Sequence, residues 1–117
     1  MDVERARALV AGERRRIEAA LADLAGDEGA DEGSRDDQAG ESAEAGSDIQ
    51  HEMTDQALTA SLEQELAAVG RAEARLADGT YGLSIDSGAP IPDDRLEAAP
   101  LAERTVEEQA RFEREGR

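Results

Sequence analysis

Residues 78–109 read DGTYGLSIDSGAPIPDDRLEAAPLAERTVEEQ, and this run carries most of the information about the fold. Within it, TYGLSIDSGAPIPDDR, residues 80–95, mixes Gly and Pro with apolar residues at alternate positions. That texture predicts a short β-hairpin. Ser84 and Ser87 read as loop serines suited to turns. From about Glu103 to Glu115 the pattern predicts a closing helix, with Val106 and Phe112 on one side.

Upstream of this run the texture is helical. Val3, Val10, Ile17 and Leu24 recur every seven residues, with Leu9 and Leu21 beside them. The filling residues are Ala, Arg and Glu, which favour helix. This predicts a helix over 2–25, capped by Asp2 and stopped at Gly26. Residues 26–47 contain no apolar residue larger than alanine. Their glycines and acids predict a solvated hairpin tip or a disordered loop. Ser47 and Gln50 have capping-box spacing. Ile49, Met53, Leu62, Leu66, Val69 and Leu76 then form a second seam, closed by Asp78-Gly79. Two long helices joined by a polar tip predict an antiparallel hairpin. A self-associated helical bundle has the same periodicity. Arg5, Arg7, Arg14, Arg15 and Arg16 crowd this first helix, and most of them read as solvent-facing partners of nearby Glu, each pair contributing a few tenths of a kcal/mol.

Composition limits what these elements can build. The chain has 117 residues, a formal charge of −16 and no cysteine. Of its residues 38% are hydrophobic, mostly alanine, and 2% aromatic, too few for a large globular core. The expected ordered form is elongated, with helices sharing a seam and a small knob. Acids outnumber bases 29 to 13, and every base is Arg. Autonomous DNA binding is disfavoured, because its affinity comes from cations that neutralise phosphates. Such a chain suits a basic partner surface. No stretch is long and apolar enough to span a membrane. The start, MDVERARALV, lacks a signal-peptide core, so a cytoplasmic location is expected. Disulfides and thiolate metal sites are ruled out. One histidine, His51, and the lack of a phosphate-cradling loop or nucleophile elbow argue against an enzyme.

The run 78–109 resembles the C-terminal module of the DksA/TraR family of bacterial RNA polymerase-binding regulators. That module reads G-x-Y-G, Cys-x2-Cys-G, P-I-P, R-L-E-A-x-P, A, then Cys-x2-Cys. Gly79, Tyr81, Gly82, Gly88, Pro90, Ile91, Pro92, Arg95, Leu96, Glu97, Ala98, Pro100 and Ala102 match it in order and spacing. The family's four cysteine positions fall on Ser84, Ser87, Thr105 and Glu108, so the x2, x17, x2 spacing survives without the ligands. Neutral hydroxyls hold zinc poorly, and one carboxylate does not make a site. The resemblance therefore implies a zinc-finger-like module that has lost its zinc, with no cofactor in its place. A small apolar cluster is expected to substitute: Tyr81, Leu83, Ile85, Ile91, Leu96, Leu101, Val106 and Phe112. Each fully buried large side chain there would contribute about 1.5–3 kcal/mol.

The resemblance implies a mainly α fold: a long antiparallel helical hairpin, a coiled coil, over 1–78, with an acidic tip around 26–47 and a degenerate module and closing helix over 79–117. It implies a monomer that inserts the hairpin into the secondary channel of RNA polymerase. Initiation would be modulated there without sequence-specific DNA contact. The family's tip pattern, Asp-x2-Asp-x-Ala, is matched nowhere in this chain. The nearest material places Asp36, Asp37 and Asp48 as the partner-binding acids. Tyr81, Gly82 and Arg95 are retained module residues, and Arg95 is expected to bind a carbonyl or carboxylate within the module. By analogy alone, Arg95 could also meet a nucleotide effector such as ppGpp. The alternative is a non-catalytic helical interaction protein of the same descent with another partner.

Overall fold

The computed structural model describes residues 1–28 and 45–116, and for 27, 28 and 45–53 it describes the backbone alone. Among these residues there are four helices: α1 (Val3–Glu28), α2 (Ala45–Asp78), α3 (Asp93–Ala98) and α4 (Val106–Glu115). The chain is mainly helical, as its periodicity predicts. It forms two compact units, Met1–Arg14 with Ala68–Arg117, and Arg15–Ala67.

The helix boundaries follow local chemistry, with two departures from expectation. Asp2 caps α1: its Oδ2 accepts from Arg5 N–H at 3.2 Å. Gly26 does not stop α1, which runs on to Glu28. A helical glycine costs only about 1 kcal/mol, and nothing at Gly26 inverts its φ. Ser47 does not cap α2, because the helix already begins at Ala45. The C-terminus of α2 closes as expected. Gly79 takes φ +81, Thr80 N–H donates to Arg75 O at 2.9 Å, and Gly79 N–H donates to Leu76 O at 3.4 Å. This is a Schellman motif, which satisfies carbonyls the last turn would leave bare.

In the unit Arg15–Ala67, Ile17 and Leu62 are buried, and Leu21, Leu24 and Leu66 are half-buried. Arg16 Nη2 donates to Glu65 Oε1 at 2.9 Å. Leu21, Leu24 and Ala25 line a cavity of about 300 Å³ together with Thr59 and Glu63. The pairing of rising with falling numbers is that of antiparallel helices.

In the unit Met1–Arg14 with Ala68–Arg117, the buried apolar residues are Ala6, Val10, Val69, Ala72, Ile91 and Leu96. Val3 was expected on the seam but is 52% exposed. In the first turn the buried position is Ala6, and alanine allows close backbone approach. Arg14 grips Glu73 through Nε and Nη2, both at 2.8 Å. Arg5 grips Glu97 of α3 in the same way, with Nε at 2.8 Å. These arginines were read as partners of glutamates nearby in sequence. Along α1, Arg7 pairs with Glu4 at 3.9 Å, and Arg5, Arg14 and Arg16 reach glutamates on other elements.

The predicted β-hairpin is not formed. Residues 80–92 make a single antiparallel bridge, Leu83 with Pro90, between turns. Pro90 has no N–H to extend a ladder. The N–H groups of Asp86, Ser87 and Ala89 donate to serine hydroxyls instead of to a facing strand. The short helix α3, absent from the sequence reading, follows Pro92 and buries Leu96.

Two glycines give opposite expectations. Gly70 lies in the interior of α2, with open space where a Cβ would stand. Gly70→Ala should raise stability by about 0.4–1 kcal/mol in urea unfolding. Gly79→Ala should lower it by a similar or larger amount, because φ +81 strains any L side chain.

Candidate functional site

The four positions with zinc-ligand spacing come together in space. Thr105 and Glu108 sit at the start of α4, and Ser84 and Ser87 sit in the turn after α2. Thr105 is the N-cap: its Oγ1 accepts from Glu108 N–H at 3.2 Å. Glu108 reaches back, and its Oε1 accepts from Thr105 N–H at 3.0 Å. This reciprocal capping box fixes the Glu108 carboxylate beside the turn. Its other oxygen, Oε2, accepts from the Ser87 hydroxyl at 2.5 Å. Ser84 is buried, and its Oγ accepts from Asp86 N–H at 3.0 Å and Ser87 N–H at 3.2 Å. Ser87 Oγ accepts from Ala89 N–H at 3.2 Å.

These donors act on the carboxyl directly. Hydrogen bonding from the Ser84 hydroxyl, then from Ser87 and the Thr105 backbone, lowers the Glu108 carboxyl to about 2. A carboxylate that collects several donors is stabilised in its charged form. Oxygen and nitrogen donors converge here on an anion.

A second cluster ties the turn to α2. Arg71 Nε and Arg75 Nη1 both donate to Glu103 Oε2 at 2.9 Å. Burial pushes the Glu103 carboxyl up, but hydrogen bonds from Arg71 and Arg75 outweigh it, and the net shift is downward. Glu103 O accepts from Ile85 N–H at 2.9 Å, which joins the two halves of the module. Tyr81 OH donates to Pro100 O at 2.7 Å. Arg95 Nε donates to Arg104 O at 2.9 Å, the carbonyl contact expected of it. Arg104 pairs with Asp86 at 2.9 Å and lies 3.8 Å from the Phe112 ring centroid, a cation–π contact.

No protein-family model matches the chain. Among solved structures it is similar to transcription factor DksA2 from Pseudomonas aeruginosa, with a TM-score of 0.72 and 25% identity. That likeness covers 97% of this chain and 84% of the other. The fold is that of the DksA-like family. Among curated proteins it is 42% identical to General stress protein 16O of Bacillus subtilis (strain 168) over 71 residues, 61% of this chain. The matched stretch is 44% of that relative, so the DksA-like chain spans less than half of its length.

The DksA-like fold is a regulator fold and not that of an enzyme family. Among the described residues of this DksA-like chain, no group of three or more His, Cys, Asp and Glu is placed to hold a metal ion. No described helix is long and apolar enough to cross a membrane. Of the expected site residues, Tyr81, Gly82, Ser84, Ser87, Arg95, Thr105 and Glu108 fall in one unit. Asp36 and Asp37 lie outside the described residues, and Asp48 lies in α2 with its side chain undescribed.

The apolar cluster expected to replace zinc is smaller than its sequence suggested. Ile91 and Leu96 are buried, Tyr81 and Leu101 are half-buried, and Leu83, Ile85, Val106 and Phe112 are exposed. Hydrogen bonds and ion pairs supply many of the remaining links. Glu103 was missed by sequence reasoning. Its signal would have been an acid between Ala102 and Arg104, which nothing distinguishes from its many neighbours.

The Glu108 network has a pH signature. Its carboxyl is depressed in the folded chain, so its contribution is complete above about 4.5, the ordinary value, and is lost as pH falls through about 2. Glu108→Gln keeps a capping-box side chain but removes the charge. The variant should melt below the wild type at pH 7, and the gap should close toward pH 2. Thermal unfolding followed by circular dichroism checks this, and equal melting at every pH would contradict it.

Proposed function

We propose that this protein is a transcription regulator that binds RNA polymerase through the secondary channel, with an acidic hairpin tip that modulates initiation. The observation that carries this reading is the likeness to a transcription factor over 97% of the chain. The charge of −16 supports it, since a negatively charged hairpin is steered toward a basic channel. In this reading residues 1–78 serve as the hairpin and 79–117 as the module. The tip acids Asp36, Asp37 and Asp48 approach the catalytic centre, where oxygen ligands perturb bound magnesium or the loops around it. The chain acts as a cytoplasmic monomer, without catalysis and without sequence-specific DNA contact.

The module does this work without zinc. The Ser84, Ser87, Thr105 and Glu108 network occupies the ligand positions, and its hydroxyl groups are poor zinc donors. Elemental analysis of natively purified protein should find no stoichiometric zinc, and a chelator should leave the circular dichroism unchanged. About one zinc per chain would overturn this.

Core RNA polymerase should retain the wild-type chain in a pull-down. Retention should weaken with salt, because exposed charges are screened beyond about 10 Å at 0.1 M. The double change Asp36→Asn, Asp37→Asn should reduce the effect on transcription in vitro more than it reduces binding. Equal activity at saturating concentration would remove both residues from the mechanism. Failure of the wild type to bind polymerase would favour an interaction protein with another partner.

A further inference from the structure

Three arginines present the same edge, Nε with Nη2, to a glutamate: Arg5 to Glu97, Arg14 to Glu73 and Arg71 to Glu103. That edge holds two parallel N–H groups and matches the two oxygens of a carboxylate. Arg75 is the exception. It gives Nη1 to Glu103 at 2.9 Å, while its Nε and Nη2 are buried without a partner. The side chain is only 13% exposed. Buried N–H groups left unpaired lose the hydrogen bonds that water gave them, so an acceptor that reached this edge would relieve a standing penalty.

Arg75 also lines a cavity of about 370 Å³ with Thr80, Leu83, Ser84, Ile85 and Gly88. Leu83 is 38% and Ile85 49% exposed, although both were expected inside. We propose that this cavity docks a segment of a partner protein that carries a carboxylate next to an apolar side chain. The carboxylate takes the Nε/Nη2 edge of Arg75, and the apolar side chain lies on Leu83 and Ile85. In the free protein the edge is covered, so docking turns it toward the cavity while Nη1 stays on Glu103. Phosphate also fits an arginine fork, but it gains nothing from the two apolar residues, and these decide for a protein segment. The long-range field of this acidic chain opposes an approaching acid, so the pocket acts at contact range and selects among partners instead of attracting them.

The identity of the partner rests on the polymerase reading, whereas the pocket does not. Two measurements separate them. In the first, isovalerate, a carboxylate with a branched apolar tail, is titrated into the full chain while NMR follows the Arg75 Nε–H and the Leu83 and Ile85 methyls. Inorganic phosphate is titrated in parallel. Isovalerate should shift all three groups saturably, and Ile85→Ser should weaken that response while the circular dichroism stays unchanged. No shift at Arg75 overturns the pocket. Equal shifts with phosphate and no movement of the methyls make it a general anion site and overturn the proposed occupant. In the second, the Kd for core RNA polymerase should rise about tenfold for Ile85→Ser and for Arg75→Lys, the change typical of a residue central to an interface. Arg75→Lys keeps the charge and loses the fork. Wild-type binding with an unchanged Kd for Ile85→Ser overturns the docking role. Isovalerate binding without polymerase binding leaves the pocket standing and removes the polymerase reading.

Discussion

Glu108 faces the problem that a divalent ion solves in a four-thiolate module: it must hold a short turn against a segment well separated in sequence, here the start of α4. The solution reverses the polarity of the site. Thiolates are anions gathered around a cation, whereas here hydroxyl and amide donors gather around an anion. The four positions keep the x2, x17, x2 spacing, and the start of α4 supplies the carboxylate through its own cap. It also shares the load. A metal concentrates its free energy in one centre, while this module adds Arg71 and Arg75 on Glu103, Arg104 on Asp86 and Tyr81 on Pro100. Each link is modest alone, and exposed ion pairs contribute little. Together they orient the two halves of the module.

Much of this was legible in the sequence, and the legible part was periodic. Val10, Ile17, Leu62 and Val69 stand on the predicted seams and are buried. The close of α2 at Asp78-Gly79 was readable because only glycine takes that φ cheaply. The failures have a common physical source, which is competition among local partners. Alternating apolar residues over 80–95 suggested strands, but serine hydroxyls took the amide donors that strands need. Gly26 and Ser47 are residues that often end or begin helices, yet each lies inside one. Ala6 and Ala72 are buried, and no periodicity argument singles out two alanines in so alanine-rich a chain.

The candidate site was legible to a different depth. Spacing located Ser84, Ser87, Thr105 and Glu108, but it did not say that they bond to one another. That depended on the rotamer of Glu108 and on Thr105 serving as a cap, both consequences of α4 starting at Val106 and not at Glu103. The ion pairs were least legible. With 29 acids and 13 arginines, residue type leaves the pairing of any one arginine open. Arg5 passes over every nearby acid to reach Glu97, because packing brings α3 beside the first turns of α1.

The sequence separations of these links bear on the order of assembly. Ser87 and Glu108 are 21 residues apart, and Asp86 and Arg104 are 18 apart, so closing those loops costs little entropy. Arg14 and Glu73 are 59 apart, and Arg5 and Glu97 are 92 apart. During synthesis the N-terminal segment emerges first. The first turn of α1 must therefore wait for its partner Glu97 until α3 has been made, after α2 has already met the rest of the helix. The Arg5–Glu97 link is thus completed later than the Arg14–Glu73 link, and the interval is set by the ribosome's pace along the chain between Glu73 and Glu97.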